Sequence, residues 1–242
     1  SEMTPVYGVT HQKQGTSRKI TAADPRIAPK LVLYDPLLTL DLPPDLTAST
    51  GINALAHCIE AVYSITRNPL STAAALEGVR YIARALPRCH AHGDDLDART
   101  EMLAGSYLAG TALSSVAMGL HHGICHILGG TLGVPHGLAN AIVLPHVMRY
   151  NADVCAQELA LVAQAMGIEG EERSDSALAM QAADRVSNFI ARMSLPQHLS
   201  QVGVKESDLA RLAEMAAQSR TVQNNPKPVA VTDVAAILRA AF

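Results

Sequence analysis

The stretch GLHHGICHILGGTLGVPHG, from Gly119 to Gly137, gathers four of the chain's ten histidines and six of its sixteen glycines. Two readings compete for it. One is a helix end with a few surface histidines; the other is a metal or catalytic site built from His122, His126 and His136. His122 and His126 lie four residues apart, so on a helix both project from one face. GINALAHCIE, from Gly51 to Glu60, repeats that spacing with Asn53 and His57. His136 follows Pro135, where the chain restarts a helix toward LANAIVLPHVMRY. Three helical segments can thus converge Asn53, His57, His122, His126 and His136 in the interior of a bundle, a setting in which facing side chains build metal sites. Clustered imidazoles serve metal or proton chemistry, because the neutral ring ligates and its pKa lies near neutrality. The six glycines are expected to let backbone approach a ligand closely. His11, His90, His92, His121 and His198 read as surface or satisfied core residues, and His146 as structural.

Outward from this block, the chain is helical from Leu46 onward. Ile52, Leu55, Ile59 and Val62 form one stripe at helical spacing. Asn68 before Pro69 predicts an N-cap and a first-turn proline. DLDARTEMLAGSYLAGTALSSVAMG is dense in small residues and predicts a helix packed closely on all sides. Amphipathic helices are expected near residues 152–166, 174–194, 206–218 and 231–240. VYGVT (6–10) and LVLY (31–34) are the strand candidates, with the polar HQKQGTSRK between them as a loop or hairpin connection. The predicted fold is mainly α: a β stub of an incomplete α/β nucleotide-binding domain over residues 1–44, then an all-helical domain over 45–242. Two strands do not make a stable sheet alone, and SEMTPVYGVT carries no initiator Met, signal peptide or basic leader. An upstream segment is therefore expected.

Composition narrows the function classes. With 48% hydrophobic and 17% charged residues the chain is globular. A formal charge of −3 argues against a nucleic-acid partner. No run approaches the roughly 18 apolar residues of a membrane span. Cys58, Cys89, Cys125 and Cys155 are widely spaced without a C-x-x-C pair, which fits reduced thiols and a cytoplasmic location. Dinucleotide-type G-x-G-x-x-G, Walker A, H-E-x-x-H and G-x-S-x-G motifs are all missing.

GINALAHCIEA and GLHHGICHILGGTLGVPHGLANAIVLPHVMRYN together resemble the C-terminal domain of the iron-containing (group III) alcohol dehydrogenases. SEMTPVYGVT resembles the end of that family's cofactor loop, and NNPKPVAVTDVAAILRAAF its usual ending. The resemblance implies a divalent metal, Fe or Zn, at Asn53, His57, His122 and His136, with His126 as a further active-site histidine. It also implies cofactor contacts from Ser1, Glu2, Thr4 and Lys19. Asn53 departs from the family pattern, where an Asp ligates. That change makes the chain similar to the maleylacetate reductase branch, which reduces maleylacetate to 3-oxoadipate with NADH or NADPH.

An amide oxygen is a weaker ligand than a carboxylate for a hard cation, and an anionic Asp would repel a dicarboxylate substrate. The expectation is a metal site converted to an anion-binding, proton-donating one. His126 or His122 would be the acid, with His57 and His136 holding carboxylates and the metal dispensable. The resemblance also implies a homodimer and an N-terminal nucleotide-binding domain of on the order of 100 residues, without which this chain should not turn over NADH. A metal-dependent alcohol dehydrogenase and a non-catalytic, dicarboxylate-binding or oligomerising helical domain are the alternatives.

Overall fold

The computed structural model describes residues 2–13, 16–168 and 174–242. Among them, one hairpin precedes ten helices. Strands β1 (Val6–Lys13) and β2 (Thr16–Ala23) pair antiparallel, with Val6 opposite Ala23 and Lys13 opposite Thr16. The polar stretch after VYGVT is therefore largely strand rather than loop. LVLY corrects the second strand expectation. Residues 31–34 have no strand structure, and Leu31 and Leu33 are 76% and 81% exposed. Their β-branched and aromatic character suits a pleated surface, but a strand also needs a partner ladder.

The helices are α1 (Pro44–Val62), α2 (Pro69–Ala91), α3 (Leu96–Ser115), α4 (Leu120–Leu132), α5 (His136–Asn151), α6 (Ala156–Ala165), α7 (Asp175–Arg192), α8 (Leu209–Ala217), α9 (Arg220–Gln223) and α10 (Val231–Ala240). Among the described residues, no single helix is long and apolar enough to cross a membrane. Asn68 caps α2 as its sequence predicts: its side chain accepts from the backbone N–H of Leu70 and of Ser71, and the Ser71 hydroxyl returns a bond to Asn68. The α1 stripe of Ile52, Leu55, Ile59 and Val62 is fully buried.

Helix α3 departs from expectation. Its buried positions include Gly105, Ala109 and Ala112, while Leu96 and Tyr107 are exposed. The small residues serve close contacts on part of the helix instead of an all-round burial. A Cβ on Gly105 would meet Ile82 of α2 at 2.8 Å, and one on Gly78 of α2 would meet the Cys58 sulfur of α1 at 2.6 Å.

Two apolar cores share one helix. The first unites α1, α2, α6 and α7 and takes Ala141, Leu144 and Met148 from α5. The second unites α4, α8, α9 and α10 and takes Ala139, Ile142, Val143 and Val147 from the same helix. From Ala139 to Met148, α5 is thus buried on nearly every side, as a helix between two layers is expected to be. At its C-terminal end Asn151 and Asn225 exchange amide hydrogen bonds of 3.0 and 2.8 Å, fastening the segment after α9 to the bundle.

Candidate functional site

The site forms where α1, the start of α4 and the start of α5 meet. Gly133, with φ of 70°, ends α4 in the left-handed region that favours glycine. Pro135 then opens α5 and sets His136 in its first turn. Two of the six glycines bring protein elements close together. A Cβ on Gly137 would stand 2.8 Å from the Ser49 carbonyl oxygen of α1, and one on Gly123 would stand 2.4 Å from Val222 of α9.

Four of the expected side chains converge. The His57 and His122 rings stack with centroids 4.4 Å apart and planes 9° apart. His126 and His136 stack at 5.7 Å, and each lies about one ring further from His122, at 6.2 and 6.1 Å. Asn53 is one helical turn before His57 on α1 and half-buried, with its Oδ1 buried and without a hydrogen-bond partner. The Nε2 of His122 is likewise buried and unpartnered. His126 and His136 are exposed. Burial first, and then the neighbouring rings, hold His57 and His122 well below the ordinary histidine pKa, so both rings are neutral near pH 7.

The residues expected on the cofactor side fall in the N-terminal segment. Ser1 lies outside the described residues, and of Lys19 only its backbone place opposite Thr10 is described. Glu2 accepts a 2.6 Å hydrogen bond from the Tyr34 hydroxyl, and Met3 packs against Gly110 of α3. Thr4 adjoins this anchored stretch.

Glu60 was not singled out by the sequence reading. It is a carboxylate 1% exposed, reaching from α1 to the start of α4. Its Oε1 accepts the backbone N–H of His121 at 3.0 Å, and its Oε2 accepts that of His122 at 3.4 Å. The same Oε2 lies 2.5 Å from His122 Nδ1. Helix α4 has no side-chain cap of its own at Gly119. Glu60 therefore caps it from a neighbouring helix, where a negative charge is favoured. His121 is the satisfied core residue expected of it: its Nε2 lies 3.2 Å from the Asn140 carbonyl oxygen. The Asn140 side chain donates to the His136 carbonyl oxygen at 2.7 Å, so one residue ties His121 to the turn that presents His136.

Two donor sets for a metal ion can be compared. Glu60, His121 and His122 bring ligand atoms within 4.8 Å of one another, but those atoms already face each other in close contacts. Asn53, His57, His122 and His136 offer three imidazoles and an amide oxygen, and two of their donor atoms are buried and unmatched. By donor type, that set suits a borderline divalent ion such as the family's metal.

Comparison with known proteins gives the same frame. The Fe-containing alcohol dehydrogenase family, C-terminal part, matches residues 47–242. 1,3-Propanediol dehydrogenase of Citrobacter freundii is 40% identical over 246 residues, spanning 100% of this chain and 62% of its own length. Maleylacetate reductase 2 of Cupriavidus pinatubonensis is 39% identical over 243 residues, spanning 100% and 64%. The crystal structure of maleylacetate reductase from a Rhizobium sp. strain superposes with a TM-score of 0.87 at 37% identity, over 100% of this chain and 64% of that one. The chain spans less than two thirds of the length of these relatives. With its helical bundle and its histidine-bearing helices, the chain belongs to the Fe-containing alcohol dehydrogenase family, whose C-terminal domain it forms.

Proposed function

We propose that the complete protein reduces maleylacetate to 3-oxoadipate with NADH or NADPH, a reading supported by relatives named maleylacetate reductase. One observation carries the choice: Asn53 stands where a carboxylate would put an anion beside the substrate. Glu60 is withdrawn behind His122, away from Asn53. An amide can donate as well as accept, so a dicarboxylate meets hydrogen-bond donors instead of a negative charge. The reaction adds a hydride from the nicotinamide to one alkene carbon and a proton to its neighbour. A donor near the ketone oxygen would stabilise the enolate-like transition state. Binding of NADH or NADPH is assigned to the complete protein, with Ser1, Glu2, Thr4 and Lys19 contributing. The four free cysteines fit a cytoplasmic enzyme, and a homodimer follows the family resemblance.

A second reading rests on the unmatched atoms His122 Nε2 and Asn53 Oδ1, which suit a metal-dependent dehydrogenase acting on a simple diol. Fe²⁺ or Zn²⁺ held by Asn53, His57, His122 and His136 would polarise the alcohol oxygen as a Lewis acid. The test assays the complete protein in two reactions, each with chelator and with added Fe²⁺ or Zn²⁺. These are NADH oxidation with maleylacetate and NAD⁺ reduction with 1,3-propanediol. The proposal expects turnover of maleylacetate that survives chelation. Diol oxidation restored only by metal, with no turnover of maleylacetate, would replace it with the second reading.

A further inference from the structure

Glu60 does more than cap a helix. The contacts around His121 and His122 determine where the protons sit on both rings. A carbonyl oxygen can only accept, so the 3.2 Å contact between His121 Nε2 and the Asn140 carbonyl requires the proton of His121 on Nε2. With that proton on Nε2, the neutral ring leaves its Nδ1 bare. This bare Nδ1 faces His122 Nδ1 at 3.3 Å. Glu60 Oε2 faces the same His122 atom at 2.5 Å. Glu60 already accepts the backbone N–H groups of His121 and His122, a role that favours its carboxylate form over a hydroxyl donor, so the proton of the Glu60–His122 pair lies on Nδ1.

We infer that Glu60 is a positioning residue that locks His122 as its Nδ1–H tautomer, so that His122 presents a bare Nε2 electron pair to the site. The unpartnered, buried Nε2 is the other face of the same assignment. This arrangement of carboxylate, histidine and open ligand atom fixes ring orientation and raises the basicity of the outward nitrogen. It divides the labour within the cluster. His122 accepts a hydrogen bond or ligates a cation; it does not supply the proton. In the proposed reduction the proton comes instead from His126 or His136, which stack on each other and lie on the exposed side of the cluster.

The division of labour rests on the histidine cluster being the reaction site, whereas the tautomer does not depend on the substrate. The test uses the complete protein labelled with nitrogen-15 in its histidines. Long-range proton–nitrogen spectra distinguish a protonated from a bare ring nitrogen, and the loss of signals in His122→Gln identifies the ring. The expected result is a protonated Nδ1 and a bare Nε2 on His122. Glu60→Gln, whose amide can either accept or donate, should convert this single tautomer to a mixture while the circular dichroism spectrum is retained. A protonated Nε2 with a bare Nδ1 in the wild-type protein overturns the inference. A folded Glu60→Gln that keeps the pure Nδ1–H tautomer also overturns it, by assigning the lock to His121 alone. If Glu60→Gln does not fold, the wild-type spectrum decides. Failure of maleylacetate turnover would leave these spectra unchanged, so the two proposals fail separately.

Discussion

Asn53 differs from an aspartate by a single side-chain group, and that group sets which ligand the cluster prefers. Replacing the amide with a carboxylate puts a negative charge beside neutral imidazoles in a half-buried site, where screening is weak. We predict that Asn53→Asp tightens Zn²⁺ or Co²⁺ binding on the order of tenfold or more, tenfold being about 1.4 kcal/mol, and slows turnover of maleylacetate. Calorimetric metal titration checks the first effect; unchanged affinity would mean that the residue is not a ligand. His146 on α5 makes a different prediction. Burial, then Arg149 and His198, lower its pKa from 6.5 to about 4. Above pH 6.5 the ring is neutral whether the chain is folded or not, and pH has no hold on it. Between pH 6.5 and 4 the unfolded chain takes up a proton that the folded chain refuses, so stability falls as pH falls. His146→Gln should therefore flatten the decline of Tm across that interval, and an identical slope in variant and parent would refute it.

At the level of elements, the site depends on how closely α5 can approach α1. The Ser49 carbonyl leaves no room for a Cβ on Gly137, and backbone cannot rotate away as a side chain would. Gly137→Ala should lift the start of α5, displace His136 and cost about 1–3 kcal/mol of stability. Urea unfolding measures that cost, and a neutral result would show that the contact has slack. The helices themselves were legible in the sequence, because apolar spacing and the Asn68–Pro69 cap are local signals. The histidine pairs were legible for the same reason: both members of each pair ride on one helix. Glu60 was not. A lone carboxylate in a helix ordinarily marks a solvent face, and its partners His121 and His122 lie 61 and 62 residues away in sequence. The error at LVLY has a related cause. Strand propensity is a property of the segment, while pairing belongs to whatever lies beside it. At Gly137 and Gly123 the close approach is made by Ser49 and Val222, partners that no local pattern announces.

Across the whole molecule, α5 is the wall common to two apolar cores. Met148 and Val147 are neighbours in sequence, yet they face opposite cores. Truncating either should cost on the order of 2–4 kcal/mol, and the loss should reach both halves because they share one helix. The expected outcome for Met148→Ala and Val147→Ala is a single unfolding transition, coincident by far-ultraviolet circular dichroism and tyrosine fluorescence. Two separated transitions would show that the cores melt independently. The double burial of α5 also bears on how this chain can change over generations. A surface helix has one side that accepts almost any polar residue, so substitutions there accumulate freely. From Ala139 to Met148 there is no such side apart from the half-buried His146. A larger residue that suits one core intrudes on the other only through the shared backbone, so repair has to come from two places at once. Substitutions should therefore be tolerated less on the helix that carries His136 than on the exposed faces of α2, α3 and α7.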